Sequence, residues 1–460
     1  MRKNKNTNRI LSTIGISLLI VLSIVLFYNQ KPTEESDSVQ SQESTSTVVS
    51  ATSAFTSEES SESEIILEPI EDTFMYTDLP LKEAVEPLEN PYGTLTLRSV
   101  GDALIHSTLS YLADSNSSVY QQTITQMLAQ GFSQDSFNQV ADYDFLPMLA
   151  YIKPYLEYAD VTVANLEVPV SSPQRDISGY PAFSAPKELI NSMQTVGIDI
   201  VSNATNHTLD GGSLAAHHSL DNINETDMMS FGSFKSQEDR NTPRIIEENG
   251  VSLGFLNYTY GTNGIPVPEG EDYLVNLLDL PLMVDEVEAL DEEVDAVIVS
   301  VHMGPEYGTV PTEEQEQVFQ ALADAGVKLI LGGHPHVLQP VEWYNDEETF
   351  AIYSQASFLT GQIDVDNKQG GITEVTFVKD ENGFTQVTAP KFMPTFVLGD
   401  YYTDTMYHVV PYADMNKHQI PQAMEGFQTL EERMHTRTEN FDFVTHLETN
   451  STEEAADIFR

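Results

Sequence analysis

The chain has 460 residues, 40% of them apolar, no cysteine, and 21 Lys plus Arg against 71 Asp plus Glu, for a formal net charge of −50. That length and apolar share suffice for a sizeable core. The charge excludes nucleic acid as a partner, because neutralising phosphates needs a basic surface. The absence of thiols excludes disulfides, Cys-ligated zinc, iron–sulfur clusters and thiol nucleophiles.

Residues 1–9 carry Arg2, Lys3, Lys5 and Arg9, and an apolar run follows from Ile10 to Phe27. At about 1.5 Å rise per residue such a run can cross a hydrocarbon core of roughly 30 Å. The residues after it, Tyr28, Asn29, Gln30 and Lys31, are not the small ones that signal cleavage wants. An uncleaved transmembrane signal anchor over 10–28 is therefore favoured over a cleaved leader. Basic residues ahead of the span keep residues 1–9 in the cytoplasm. The expectation is a single-pass cell-membrane protein whose main domain is extracellular.

Residues 29–85 read as a disordered stalk. Within Lys31–Glu64 there are eleven Ser, five Thr and eight acidic residues, with Phe55 the single aromatic. Such a segment buries too little apolar surface to offset its chain entropy.

From about Leu95 the texture changes. Short β-branched or aliphatic runs recur at Thr94–Val100, Val161–Ala164, Ile198–Ser202, Val251–Leu256, Ala296–Val301 and Val327–Leu331. Helical faces lie between them, Leu189-Ile190-Met193-Val196 on one and Val318-Phe319-Leu322-Ala325 on another. Alternation of this kind predicts an α/β domain over 93–413, with helices on a largely parallel or mixed sheet. Phe350–Ser354 and Ile372–Val378 read as antiparallel additions. Residues 414–460 are polar and read as a peripheral helix and tail.

The chemistry follows the strands. Five of the six runs lead into Asp, Glu, Asn or His: Gly101-Asp102 with His106, Asn165-Leu166-Glu167, Asn206-His207 with Asp210, His302 to Glu306, and Gly333-His334-Pro335-His336. Ligands of α/β sheets bind at the carboxyl ends of strands, so these side chains are expected to converge. Taken singly, several have bland readings. Gly-Asp is a common turn, a lone His302 is a satisfied core residue, and Asn206-His207 with Asp210 is helix capping. Two imidazoles one residue apart on a rigid proline are harder to explain by packing. Together, carboxylate, amide and imidazole without thiol suit a hard or borderline divalent ion. The P-loop and H-E-x-x-H signatures are missing.

In order and spacing these motifs, with Ser184-Ala185-Pro186 before the third, resemble the CapA-type poly-γ-glutamate capsule biosynthesis proteins from about Leu95 to Ala413. That family is similar in fold to calcineurin-like metallophosphoesterases, which implies a four-layer α/β/β/α sandwich with two divalent metal ions, Mn, Fe or Zn, at strand ends. The resemblance implies Asp102, His106, Glu167, Asn206, His302, His334 and His336 as metal ligands, with Glu167 bridging. His207 would act on the substrate as general acid or charge stabiliser, and Glu306 would either support the ligands from behind or face the substrate. Where the family pattern has two Asn before its His, this chain has Thr205 first. Where it has Gly-Asn-Phe, this chain has Ala356-Ser357-Phe358. The implied partners are an anionic surface polymer such as poly-γ-glutamate, and separate membrane polymer ligase or export proteins. Three functions stay open: capsule assembly or attachment by a hydrolase or transferase, a surface phosphoesterase, or an inactive scaffold.

Overall fold

In the structure, a computed structural model, the described residues are 92–170, 176–400, 405–418 and 423–450. The anchor expected over 10–28 and the stalk over 29–85 lie outside them. Among the described residues no helix is long and apolar enough to cross a membrane.

In chain order the strands are β1 (Gly93–Leu104), β2 (Val161–Leu166), β3 (Ile200–Ser202), β4 (Met229–Phe231), β5 (Ile245–Glu248), β6 (Val251–Thr259), β7 (Ala296–His302) and β8 (Leu329–Gly333). Then follow β9 (Leu338–Tyr344), β10 (Thr349–Gln355), β11 (Ser357–Thr360), β12 (Gln369–Lys379), β13 (Thr385–Asp400), β14 (Thr405–Pro411) and β15 (Asp442–Phe443). One sheet runs β14-β13-β12-β1-β2-β3-β4, with β11 beside β1 and β15 beside β13. The other runs β5-β6-β7-β8-β10-β9. Strands β1 to β4 are mutually parallel, as are β6, β7, β8 and β10.

Period-two alternation builds the layers. In β7, Ala296 and Ile298 enter a core shared with Leu97 and Val163 of the first sheet. Val297, Val299 and Val301 point the other way, onto Val318, Phe319 and Leu322 of the helix Glu313–Asp324. In β2, Val163 faces the inner core, while Ala164 and Leu166 join Leu189, Ile190 and Met193 of the helix Glu188–Thr195. Two sheets face each other and helices cover both outer sides. The result is the four-layer α/β/β/α order.

Two features differ from expectation. β10 is antiparallel to β9 but parallel to β8, so it belongs to the parallel body of its sheet. The segment after 413 is not peripheral. Phe427, Leu430 and Met434 of the helix Ala423–Met434 enter the inner core with Phe441, and β15 pairs with β13. Its charged residues mask three apolar ones spaced for a single helix face.

Candidate metal centre

Both sheets deliver polar side chains to one place. Asp102 does not follow a strand but lies within β1, which continues to Leu104. The ladder to β2 shifts register between Val100 and Asp102, as β-bulges do beside functional sites. Gly101 allows it: a Cβ there would lie 2.0 Å from the Ala356 carbonyl oxygen, and the neighbouring Asp102 N–H donates to that same oxygen at 2.7 Å. Leu166 ends β2, with Asn165 just before it and Glu167 just beyond, and His302 is the last residue of β7. His334 and His336 follow β8 with φ of 94° and 58°. Left-handed backbone at non-glycine residues costs about 1–2 kcal/mol each, and it clusters at functional sites.

Asp102 is fully buried and holds three neighbours. Its Oδ1 accepts from Asn165 Nδ2 at 2.7 Å, and its Oδ2 accepts from the His334 backbone N–H at 3.3 Å and lies 3.1 Å from His336 Nδ1. Burial alone would raise its pKa, but the hydrogen bond and charge of His336 outweigh it and hold the carboxyl below the usual range. Gly333 makes room, since a Cβ there would meet Asp102 Oδ1 at 2.9 Å.

Glu167 is also fully buried, yet neither carboxylate oxygen has a hydrogen-bond partner among the described residues. His302 Nε2 and His336 Nε2 stand 3.6 and 3.7 Å from Oε1, beyond hydrogen-bond length. Burial pushes this pKa up, but His336 and His302 together outweigh it and hold Glu167 below the usual carboxylate value. His334 Nδ1 is buried without a partner as well. Burial and the neighbouring His302 depress His334 to about 3, which keeps its ring neutral. His336 goes the opposite way: burial opposes its charge, but Glu167 and Asp102 raise it to about 9. Ligand atoms of Glu167, His334 and His336 all lie within 4.8 Å of one another.

Asn206 and His302 adjoin this trio, with Asn206 Oδ1 2.9 Å from His302 Nε2. His207 stands beside it, its Nδ1 2.8 Å from Asp210 Oδ2. Burial lowers the His207 pKa, but the Asp210 bond and the Glu167 charge carry it above 6.5. His207, His106, Glu306 and His336 line one cleft of about 570 Å³. His106 is outside the trio. Its Nδ1 lies 3.1 Å from Leu104 O and 3.2 Å from the Gly361 N–H. Glu306 is exposed at the cleft.

Several contributors were not singled out from sequence. Asn165 orients Asp102 and is itself fixed by the Ser202 hydroxyl at 2.8 Å. Asp210, read as capping, is the partner of His207. Phe183 sets its ring edge-on to both His106 and His207, with centroids at 5.3 and 4.8 Å. Tyr260 and Asn263 come from the sixth strand run. β6 extends to Thr259, three residues past its apolar stretch, so this strand too feeds the site. Thr205, where an Asn was expected, braces the loop: its hydroxyl donates to Glu167 O at 2.8 Å and accepts from the His207 N–H at 3.2 Å.

Fold and site together define a four-layer α/β protein with a buried carboxylate–imidazole cluster at its strand ends. Residues 96–362 match the family model described as bacterial capsule synthesis protein PGA_cap, and the chain belongs to that family. It is 24% identical over 242 residues to the PGA biosynthesis protein CapA of Bacillus subtilis (strain 168), covering 52% of this chain and 63% of that protein. It is 28% identical over 223 residues to the capsule biosynthesis protein CapA of Bacillus anthracis, covering 46% and 53%. The chain thus spans less than two thirds of either relative. Similar solved structures include a phosphatase from Mycoplasma pneumoniae, at 13% identity over 68% of this chain and 99% of that one, TM-score 0.38. Another is the NAD nucleotidase of Haemophilus influenzae, at 10% identity over 79% and 59%, TM-score 0.38.

Proposed function

We propose that the protein is a membrane-anchored, extracellular participant in the assembly or attachment of poly-γ-glutamate or a related anionic polymer. In this reading Glu167, His334 and His336, with Asp102, Asn206 and His302 around them, hold two divalent ions. The observation that carries it is the buried, ionised Glu167 with two unpartnered oxygens beside the unpartnered His334 Nδ1. A buried charge left so costs several kcal/mol unless something binds it. The donor set of carboxylate, amide and imidazole fits Mn, Fe or Zn. Such ions, when bound, stabilise developing negative charge and make water a stronger nucleophile.

The chain's own residues supply the rest. Asp210 holds His207 through Nδ1, leaving Nε2 for the cleft, where a proton can pass to a leaving group. Phe183 packs between His207 and His106 and limits the motion of both rings. Hydrolysis or transfer at a γ-glutamyl amide suits this arrangement, with polymer synthesis and export left to separate membrane proteins. The test is turnover by metal-supplied protein of a γ-glutamyl polymer against a generic phosphate ester. Cleavage or transfer of the polymer alone supports the reading. Turnover of the ester alone makes the protein a surface phosphoesterase, and turnover of neither makes it a scaffold.

A further inference from the structure

The outer half of the cleft has a composition that the metal centre beneath does not require. Its lining includes Tyr180, Tyr307, Glu306, Asn263 and Gln362, and among the described residues it contains no Lys or Arg. Tyr180 is 81% exposed, Tyr307 52% and Tyr260 47%. Several large rings left in water around one cleft mark a binding surface. The rings are also anchored. The Tyr307 N–H donates to Pro335 O at 2.7 Å, and the Tyr307 ring lies 6.2 Å from that of His336. The Tyr260 ring lies 4.7 Å from that of His334, and its hydroxyl is 3.4 Å from Asn263 Oδ1. Tyr307 and Asn263 both hold left-handed backbone, with φ of 65° and 51°. Strain of that kind collects at ligand clamps.

Glu306 acts on this whole group. With burial, its charge lifts the hydroxyl pKa of Tyr260 and of Tyr307 above the usual value, and Tyr307 also feels Tyr180 and Asp364. Tyr180, Glu306 and Tyr307 line one rim, and Tyr260 adjoins it through Asn263.

We propose that this rim binds an ammonium group, with Glu306 supplying the countercharge and Tyr180, Tyr260 and Tyr307 the aromatic surroundings. Aromatic rings beside a carboxylate attract organic cations, and among the described residues no Lys or Arg lines the cleft. Among the described residues the rim offers a polyanion no Lys or Arg, which favours entry by an end. The inference deepens the hydrolase or transferase reading, on which it rests for placing the reacting bond at the metal centre. The ammonium has two possible sources: the amino end of a γ-glutamyl chain, or an acceptor amine to which the chain is transferred.

The test is equilibrium binding to the detergent-solubilised full chain treated with chelator, with the near-ultraviolet dichroism of each variant as a check on folding. The probes are n-butylammonium against n-butanol, and γ-glutamylglutamate against its N-acetyl form. Butylammonium is expected to bind about tenfold tighter than butanol. Glu306→Gln should erase that preference, and Tyr307→Ala should lower it several-fold while Tyr307→Phe keeps it. Preference for the free over the acetylated dipeptide assigns the chain's amino end. Preference for butylammonium without it assigns an acceptor amine. Equal binding of butylammonium and butanol, or a preference that survives Glu306→Gln, overturns the inference. Metal content is measured separately, so failure of the metal reading is distinguishable from failure of this one.

Discussion

Two buried ionic clusters in this molecule are treated in opposite ways. Arg98 in β1 faces Glu374 across the ladder to β12, and both are buried. Arg98 Nε donates to Glu374 Oε2 at 2.7 Å, and Nη1 donates to the backbone carbonyls of Tyr155 and, at 3.0 Å, Glu448. Its guanidinium lies 4.7 Å from the Tyr158 ring centre, and Lys391 Nζ takes Glu374 Oε1 at 3.0 Å. Charges taken out of water are tolerated when they are matched this fully. Glu167 is buried as deeply and makes no hydrogen bond. The same fold that completes one cluster leaves the other incomplete. The difference is what the proposed metal site requires of Glu167, and it makes Arg98 a brace that ties β1 to the C-terminal segment.

The largest effect that sharpens this contrast is on stability. Arg98→Met should cost about 3 kcal/mol in urea unfolding, because it removes one of the two cations that match the buried Glu374 and leaves the Tyr155 and Glu448 carbonyls without their donor. Glu167→Gln should not destabilise the metal-free protein, since it removes an unpaired buried charge and no hydrogen bond, while abolishing metal uptake. A destabilisation by Glu167→Gln as large as that of Arg98→Met would break the comparison.

A smaller effect concerns pH. His336 is raised to about 9 from an ordinary 6.5, against burial and by the charges of Glu167 and Asp102. A folded-state pKa above the unfolded one contributes stability that is full below about 6.5 and is lost as pH rises through about 9. Thermal unfolding of the chelator-treated protein should therefore show a downward slope across this interval. His336→Asn should flatten it, and an unchanged slope would remove His336 as its source. Smallest is the effect of Asp210→Asn. It should move the His207 pKa down, read from the imidazole proton shifts, with little change in stability because Asn can still accept from the Phe183 N–H.

The part of the site legible in the sequence is where apolar strands stop abruptly at polar groups, as at Glu167, His302 and His334-Pro335-His336. Asp102 was legible as a residue but not in its place, because nothing local shows that Gly101 lets β1 bulge and continue against Ala356. Tyr260 and Asn263 were hidden by Asn257 and Thr259. These two buried residues interrupt the apolar run of β6 while Asn257 Nδ2 donates to Ser300 O and the Thr259 hydroxyl to Gly261 O. Asp210 was indistinguishable from a cap because its partner His207 is only three residues away. The α/β class followed from strand–helix alternation, and the four layers from the family resemblance. The role of Phe427, Leu430 and Met434 did not, since a helix with one narrow apolar face reads the same whether it fills a core or skirts it.

The measurement that bears most directly on the site is the metal content of the full chain purified without chelator, beside His334→Ala. The account predicts close to two equivalents of Mn, Fe or Zn per chain, falling in the variant while its fold is retained. No metal above background after titration with each ion, or equal content in His334→Ala, would contradict it.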